Sequence, residues 1–280
     1  MATSSSGESS EAEQAQFELP SRLVLALESR AFAELSAFFM VAPLLGMGRR
    51  GDGHPALVLP GFATSDRATA PLRAALRRVG FQAHGWELGS NLGSSSQTVE
   101  RTTAHLRRLC ERSGQPVSIV GHSAGGMLGR AMARRSPELV RQVITVGSPF
   151  RFRRGDRSTF SAIAELVRDP NSRPLSKRPR EEDRPALPVP TTAIYSRTDG
   201  IVDWRSCIEA VGDQRENVEV RSSHAGLMHN PAVLVVILDR LAQRPGRWTP
   251  FVPPPVLGGW FPQPESWPPS PDGRVDRTPR

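Results

Sequence analysis

The most restrictive feature of this chain is the passage from an apolar run into a serine bracketed by glycines. Val117-Ser118-Ile119-Val120 has the texture of a short buried strand. Gly121-His122-Ser123-Ala124-Gly125 follows at once, then Gly126 and a helix-like stretch to Arg135. A chain that leaves a strand and enters a helix this abruptly must turn tightly. The residue at the apex then takes a strained backbone angle, and its neighbours two positions away have to be small. G-x-S-x-G in that strand–turn–helix setting presents a serine hydroxyl at the carboxyl end of a strand. The pattern alone arises by chance, so the setting carries the reading against an incidental serine in a Gly-rich turn.

The setting extends along the chain. Ala56 to Leu59 reads as a first buried strand, with a helix from Ser65 or Asp66 to Val79 and Gly80 as its stop signal. Phe81 to Leu88 reads as a second strand, Thr98 to Arg112 as a helix and Val140 to Val146 as a fourth strand. Thr191 to Ser196 and Val218 to Ser222 are further strands, and Val233 to Leu241 is a closing helix. Strand–helix alternation predicts an α/β fold with a doubly wound, mostly parallel sheet of about six strands and right-handed crossovers.

A serine hydroxyl needs a base to become a nucleophile, and the base, a histidine, needs an acid to hold it. In an α/β sheet of this kind the order is serine, acid, histidine. Asp199 lies just past the strand Thr191 to Ser196, and His224 just past Val218 to Ser222. Each has a competitor. Asp203 could be the acid if the turn is longer, but Gly200 suits a tight turn presenting Asp199. His229 competes with His224, but Asn230-Pro231 has the look of a helix start, which leaves His229 in a flanking loop. An oxyanion formed at the site needs backbone N–H donors. Ala124, after the serine, and Phe62, in the loop Pro60-Gly61-Phe62 after the first strand, are the expected pair. The competing reading of that loop is an ordinary Pro-Gly turn. Phe62, His122 and Phe150 are the expected substrate contacts.

Taken together, LPGF (59–62), VGHSAGG (120–126), GSP (147–149), YSRTDGIV (195–202) and SHAGL (223–227) resemble the α/β-hydrolases of the serine esterase and lipase type. The resemblance spans about Pro55 to Leu241. It implies Ser123 as nucleophile, Asp199 as acid, His224 as base, and Phe62 with Ala124 as oxyanion donors. It also implies that the segment 150–188 is a lid or cap. Many bacterial lipases carry His-Gly before the oxyanion residue; here it is Pro60-Gly61. The expected activity is hydrolysis of a small carboxylic ester, with an apolar acyl group suggested by Phe150, Phe152 and Phe160. A thioesterase, an acyltransferase or a non-catalytic binding protein of the same fold would look similar.

Composition bounds the rest. The chain of 280 residues can bury a sizeable core without staples, and its 2 cysteines cannot make a disulfide framework. There is no P-loop, dinucleotide fingerprint, H-E-x-x-H or paired Cys-x-x-Cys, so no cofactor and no metal are expected. The net charge of +8 comes almost wholly from arginine, Lys177 being the lone lysine. It reads as an arginine-biased surface, with no nucleic acid implied. The polar stretch 1–16 carries Glu8, Glu11 and Glu13 where a signal peptide would be basic, so a tail and a cytoplasmic location are expected. Within 17–50, Val24, Leu27, Ala31, Leu35, Phe38, Ala42 and Leu45 form a helical stripe, with Glu28, Arg30 and Glu34 off it. That predicts a packing helix; weak contact with a membrane surface is the competing reading, and Ser36 to Leu45 is too short to span. The hydrolase domain is expected over 51–243. Much of the proline, 26 residues in all, lies in 244–280, a tail or a strap with Trp248, Trp260, Phe261 and Trp267 as candidate anchors.

Overall fold

In the computed structural model, alternate residues of the first strand face opposite layers. Ala56 and Val58 join one buried cluster and Leu57 and Leu59 another. A one-residue slip would exchange the two sets, so the register is set by burial on both faces. The structure describes residues 27–45, 51–93, 95–151, 185–210 and 212–264.

The strands are β1 (Pro55–Leu59), β2 (Gln82–His84), β3 (Val117–His122), β4 (Val140–Val146), β5 (Thr191–Tyr195) and β6 (Arg215–Glu219). They form a single six-stranded sheet in the order β2-β1-β3-β4-β5-β6. Every pairing is parallel. The helices are α1 (Ala31–Leu45), α2 (Asp66–Arg78), α3 (Ser96–Ser113), α4 (Ala124–Arg135) and α5 (Pro231–Leu241). One face packs Phe38 of α1, Leu72 and Leu76 of α2 and the apolar side of α5 against Val58, Val120, Ile144 and Ile194. The other packs Leu106 and Leu109 of α3 and Leu128 and Met132 of α4 against Leu57, Leu59, Ile119 and Val143. This is the α/β-hydrolase fold. The strand order reverses between β1 and β3, and such a switch point opens a crevice outside the carboxyl ends of those strands.

Local chemistry explains where the elements differ from expectation. The second strand ends at His84, not Leu88. The Asp66 carboxylate accepts the N–H groups of Trp86 and Glu87, each at 3.0 Å, and takes them out of the ladder. Asp66 is therefore used across the fold rather than as a helix cap. The last strand ends at Glu219, because the N–H groups of Ser222 and Ser223 bond to Ser196 Oγ and Glu34 instead of a strand. The closing helix starts at Pro231, two residues before the periodicity suggested, with Asn230 Oδ1 accepting the Ala232 N–H at 2.8 Å.

The described part of the C-terminal segment lies on the body. Phe251 and Phe261 pack ring to ring, centroids 5.0 Å apart, against the first cluster. Buried Arg240 donates to Thr249 O at 2.7 Å, and the Phe251 N–H donates to Glu216 Oε2 at 2.6 Å. Trp260 is largely outside this contact, at 37% exposure. The expected tail 1–16, the region 17–26, most of the insertion at 150–188 and residues 265–280 with Trp267 lie outside the described residues. Among the described residues no helix is long and apolar enough to cross a membrane.

Candidate active site

Ser123 stands between β3 and α4 with φ 49° and ψ −120°. That is the left-handed side of backbone space, where a non-glycine residue is strained by about 1–3 kcal/mol. The surroundings hold it there. Its N–H donates to Val146 O on β4 at 2.9 Å. A Cβ on Gly125 would come within 2.5 Å of Leu59 O, and one on Gly126 within 2.8 Å of Gly121 O. The glycines are thus a condition of the turn.

His224 and Asp199 meet although they leave different strands. His224 Nδ1 donates to Asp199 Oδ2 at 2.6 Å. The other carboxylate oxygen accepts the N–H groups of Ile201 and Val202, both at 2.9 Å. Three donors therefore fix the Asp199 carboxylate. Burial alone would lower the His224 pKa, but the Asp199 charge, its hydrogen bond and the charge of Glu28 outweigh it and raise the value. The competitors have other partners. Asp203 caps the short turn Trp204–Cys207, accepting the Arg205 N–H at 2.9 Å. His229 bonds through Nε2 to Ala68 O at 3.0 Å and packs edge-on to Phe38.

A cavity of about 260 Å³ opens beside Ser123. Its lining includes Phe62, His122, Ser123, Ile201, His224 and Met228, and its walls are mainly apolar. Phe62 and Ala124 have N–H groups that no acceptor among the described residues takes. His122 lines the cavity too, with Nε2 at 3.0 Å from His224 O. Burial and the nearby His224 push its pKa down to about 3, so it is neutral and serves as a donor to the loop that carries His224. Phe150 is not in the lining. It is 7% exposed, and the Arg130 guanidinium covers its ring at 3.9 Å. Arg130 in turn pairs with buried Glu209. Among the described residues no cluster of three or more His, Cys, Asp or Glu could hold a metal.

Sequence periodicity missed three residues. Glu28, Arg30 and Glu34 lie off the apolar stripe, a position that suggests a solvated face. They dock instead on the loops carrying Asp199 and His224. Glu28 Oε1 accepts the N–H groups of Gly200 and His224, both at 2.8 Å, and Oε2 accepts that of Ala225 at 3.0 Å. Arg30 donates to Thr198 O at 3.1 Å. Glu34 accepts from the Ser223 N–H at 3.0 Å and the Ser223 hydroxyl at 2.6 Å. Phe32, Phe39, Met40 and Leu44 are the large apolar side chains of this segment that are exposed. No sequence signal links Glu28 and Glu34 to Ser223-His224-Ala225-Gly226, whose backbone N–H groups lie 189 or more positions away.

The chain matches the alpha/beta hydrolase fold family over residues 58–173. It is similar to the solved structure of Aspergillus fumigatus lipase B, with 18% identity and a TM-score of 0.51, covering 72% of this chain and 55% of that one. This chain thus spans about half of that lipase. It is also similar to Bacillus licheniformis lipase BlEst2 in mature form, with 14% identity and a TM-score of 0.51, covering 70% of this chain and 95% of that one.

Proposed function

We propose that this chain, which has the α/β-hydrolase fold and matches that family over residues 58–173, is a serine hydrolase that cleaves carboxylic esters through an acyl-enzyme. The observation that carries this reading is a convergence on one cavity. Strained Ser123, His224 bonded to Asp199, and Phe62 all border it, and the N–H of Ala124, next to Ser123, is unengaged as that of Phe62 is. The lipase names of two structurally similar proteins lend support to an ester as the substrate.

His224 takes the Ser123 proton as the oxygen attacks the ester carbonyl. Asp199 holds the imidazole with Nε2 free and stabilises the imidazolium that forms. The carbonyl oxygen becomes an oxyanion, which the Phe62 and Ala124 N–H groups stabilise; one such donor typically contributes about 10²–10³ in rate. His224 then gives its proton to the leaving alcohol. Water attacks the acyl-enzyme by the same route in reverse and releases the acid. A small apolar cavity suits a short acyl chain, because drug-sized ligands occupy about 300–1,000 Å³. The test is a fluorophosphonate probe located by mass spectrometry, with a nitrophenyl ester chain-length series. Labelling at Ser123 and preference for short chains are expected. Absence of labelling would overturn the reading.

A further inference from the structure

We propose that Glu28 is a positioning residue: its carboxylate bridges the acid-bearing and base-bearing loops and so fixes how Asp199 faces His224. The inference rests on the serine hydrolase reading above. One carboxylate oxygen is shared by the N–H of Gly200, the residue after Asp199, and the N–H of His224 itself, both at 2.8 Å. The second oxygen takes the next N–H, that of Ala225. No strand joins these two loops at that level, since β5 and β6 end at Tyr195 and Glu219. Without an acceptor, the part-buried N–H groups of Gly200 and His224 would lack a partner, which is costly when water is excluded, while that of Ala225 is exposed and can turn to water.

The bridge also has a defined anchorage. Phe38 is 2% exposed in the core, so α1 is held by packing that does not depend on Glu28. Arg30 and Glu34 grip Thr198 and Ser223, one on each loop, to either side of the bridge. A Cβ on Gly226 would collide with the Glu34 carboxylate and sit 2.6 Å from Ser223 Oγ, so the base-bearing loop is shaped to admit this segment. The charged and titratable groups facing His224 are Asp199, Glu28 and His122, with His229 and Glu34 farther along the same rim. Of these, Asp199 and Glu28 are the carboxylates that favour the imidazolium. A bridging carboxylate therefore acts on both the geometry and the basicity of His224.

The test uses the full chain with Glu28→Gln, which keeps the shape and removes the charge, and Glu28→Asp, which keeps the charge and shortens the reach. Thermal midpoint, the kcat and KM for nitrophenyl acetate across pH, and the His224 imidazole titration by NMR are measured. In E28Q the midpoint is expected to stay close to that of the parent. Its kcat should fall with little change in KM, as a small misplacement can cost as much as about 10²-fold. The acid limb and the imidazole titration should move together to lower pH. E28D should recover the titration but not all of kcat. If E28Q lowers only the midpoint and leaves kcat, the limb and the titration unchanged, Glu28 merely tethers α1 and the proposal fails. If the parent neither hydrolyses esters nor reacts with fluorophosphonate, the hydrolase reading fails, while the NMR titration still reports whether Glu28 governs His224.

Discussion

His224 Nδ1 lies 2.6 Å from Asp199 Oδ2, although the two residues follow different strands of the sheet. The pair occurs at the carboxyl ends of β5 and β6 beside the crevice near Ser123. A second Asp–His–Ser set lies elsewhere in the fold. His54 Nδ1 is 2.5 Å from Asp52 Oδ1, and its Nε2 is 2.9 Å from Ser118 Oγ. That set sits before β1 and at the start of β3. His54 and Ser118 have no exposed surface, and Gln142 also donates to Ser118 Oγ at 3.2 Å. The same residue types fix a buried histidine and serine in one place and border an open cavity in the other.

Ser123→Ala should therefore reduce ester hydrolysis by on the order of 10⁶-fold, with circular dichroism and the thermal midpoint little changed. Ser118→Ala should do the opposite: activity is retained, and stability falls by about 1–3 kcal/mol because His54 and Gln142 lose a buried partner. Nitrophenyl ester assays and chemical denaturation of both variants check this. Loss of activity in Ser118→Ala with a stable fold would contradict it.

Asp199→Asn should lower kcat by about 10⁴-fold, because an amide no longer holds the required histidine tautomer. Asp203→Asn should leave chemistry nearly intact and cost about 0.5–2 kcal/mol through the weakened cap. The two kcat values, compared at one pH, decide the matter, and the reverse ranking would assign the acid to Asp203.

Gly125→Ala should unfold or severely destabilise the turn, by about 1–3 kcal/mol or more, as expected for overpacking. Its added methyl would press against the Leu59 carbonyl at 2.5 Å. Urea denaturation reads the effect, and a variant as stable as the parent would show that the turn can relax.

The histidines predict opposing pH effects. In His54 and His122 burial dominates and lowers the pKa from 6.5, to about 3 for His122. Each contributes stability that is present above pH 6.5 and lost as pH falls toward the folded value. His224 is raised, so its contribution is present below pH 6.5 and fades as pH rises through its folded pKa. Denaturation midpoints should thus drop on acidification below pH 6.5, and His54→Gln should flatten part of that drop. The kcat/KM profile should rise through an apparent pKa above 6.5, since the proposed general base His224 must be unprotonated to act.

Much of this protein was legible from residue order. The apolar runs bounded by Gly and Pro mark strands because two-sided burial demands them. Gly121, Gly125 and Gly126 mark the turn because no side chain fits there. The spacing of Ser123, Asp199 and His224 follows from strands that carry each to the same end of the sheet. Contacts across the chain were not legible, because periodicity reports only which face of an element is apolar. It could not reveal that Asp66 would end β2, that Phe150 would pack under Arg130, or that Glu28, Arg30 and Glu34 would leave solvent for the loops of the site. Residue order by itself determined the parallel α/β layers and the strained serine. Only the tertiary structure decided which carboxylates hold the histidine loop, since hydrogen bonds between residues separated by 196 positions depend on how α1 docks.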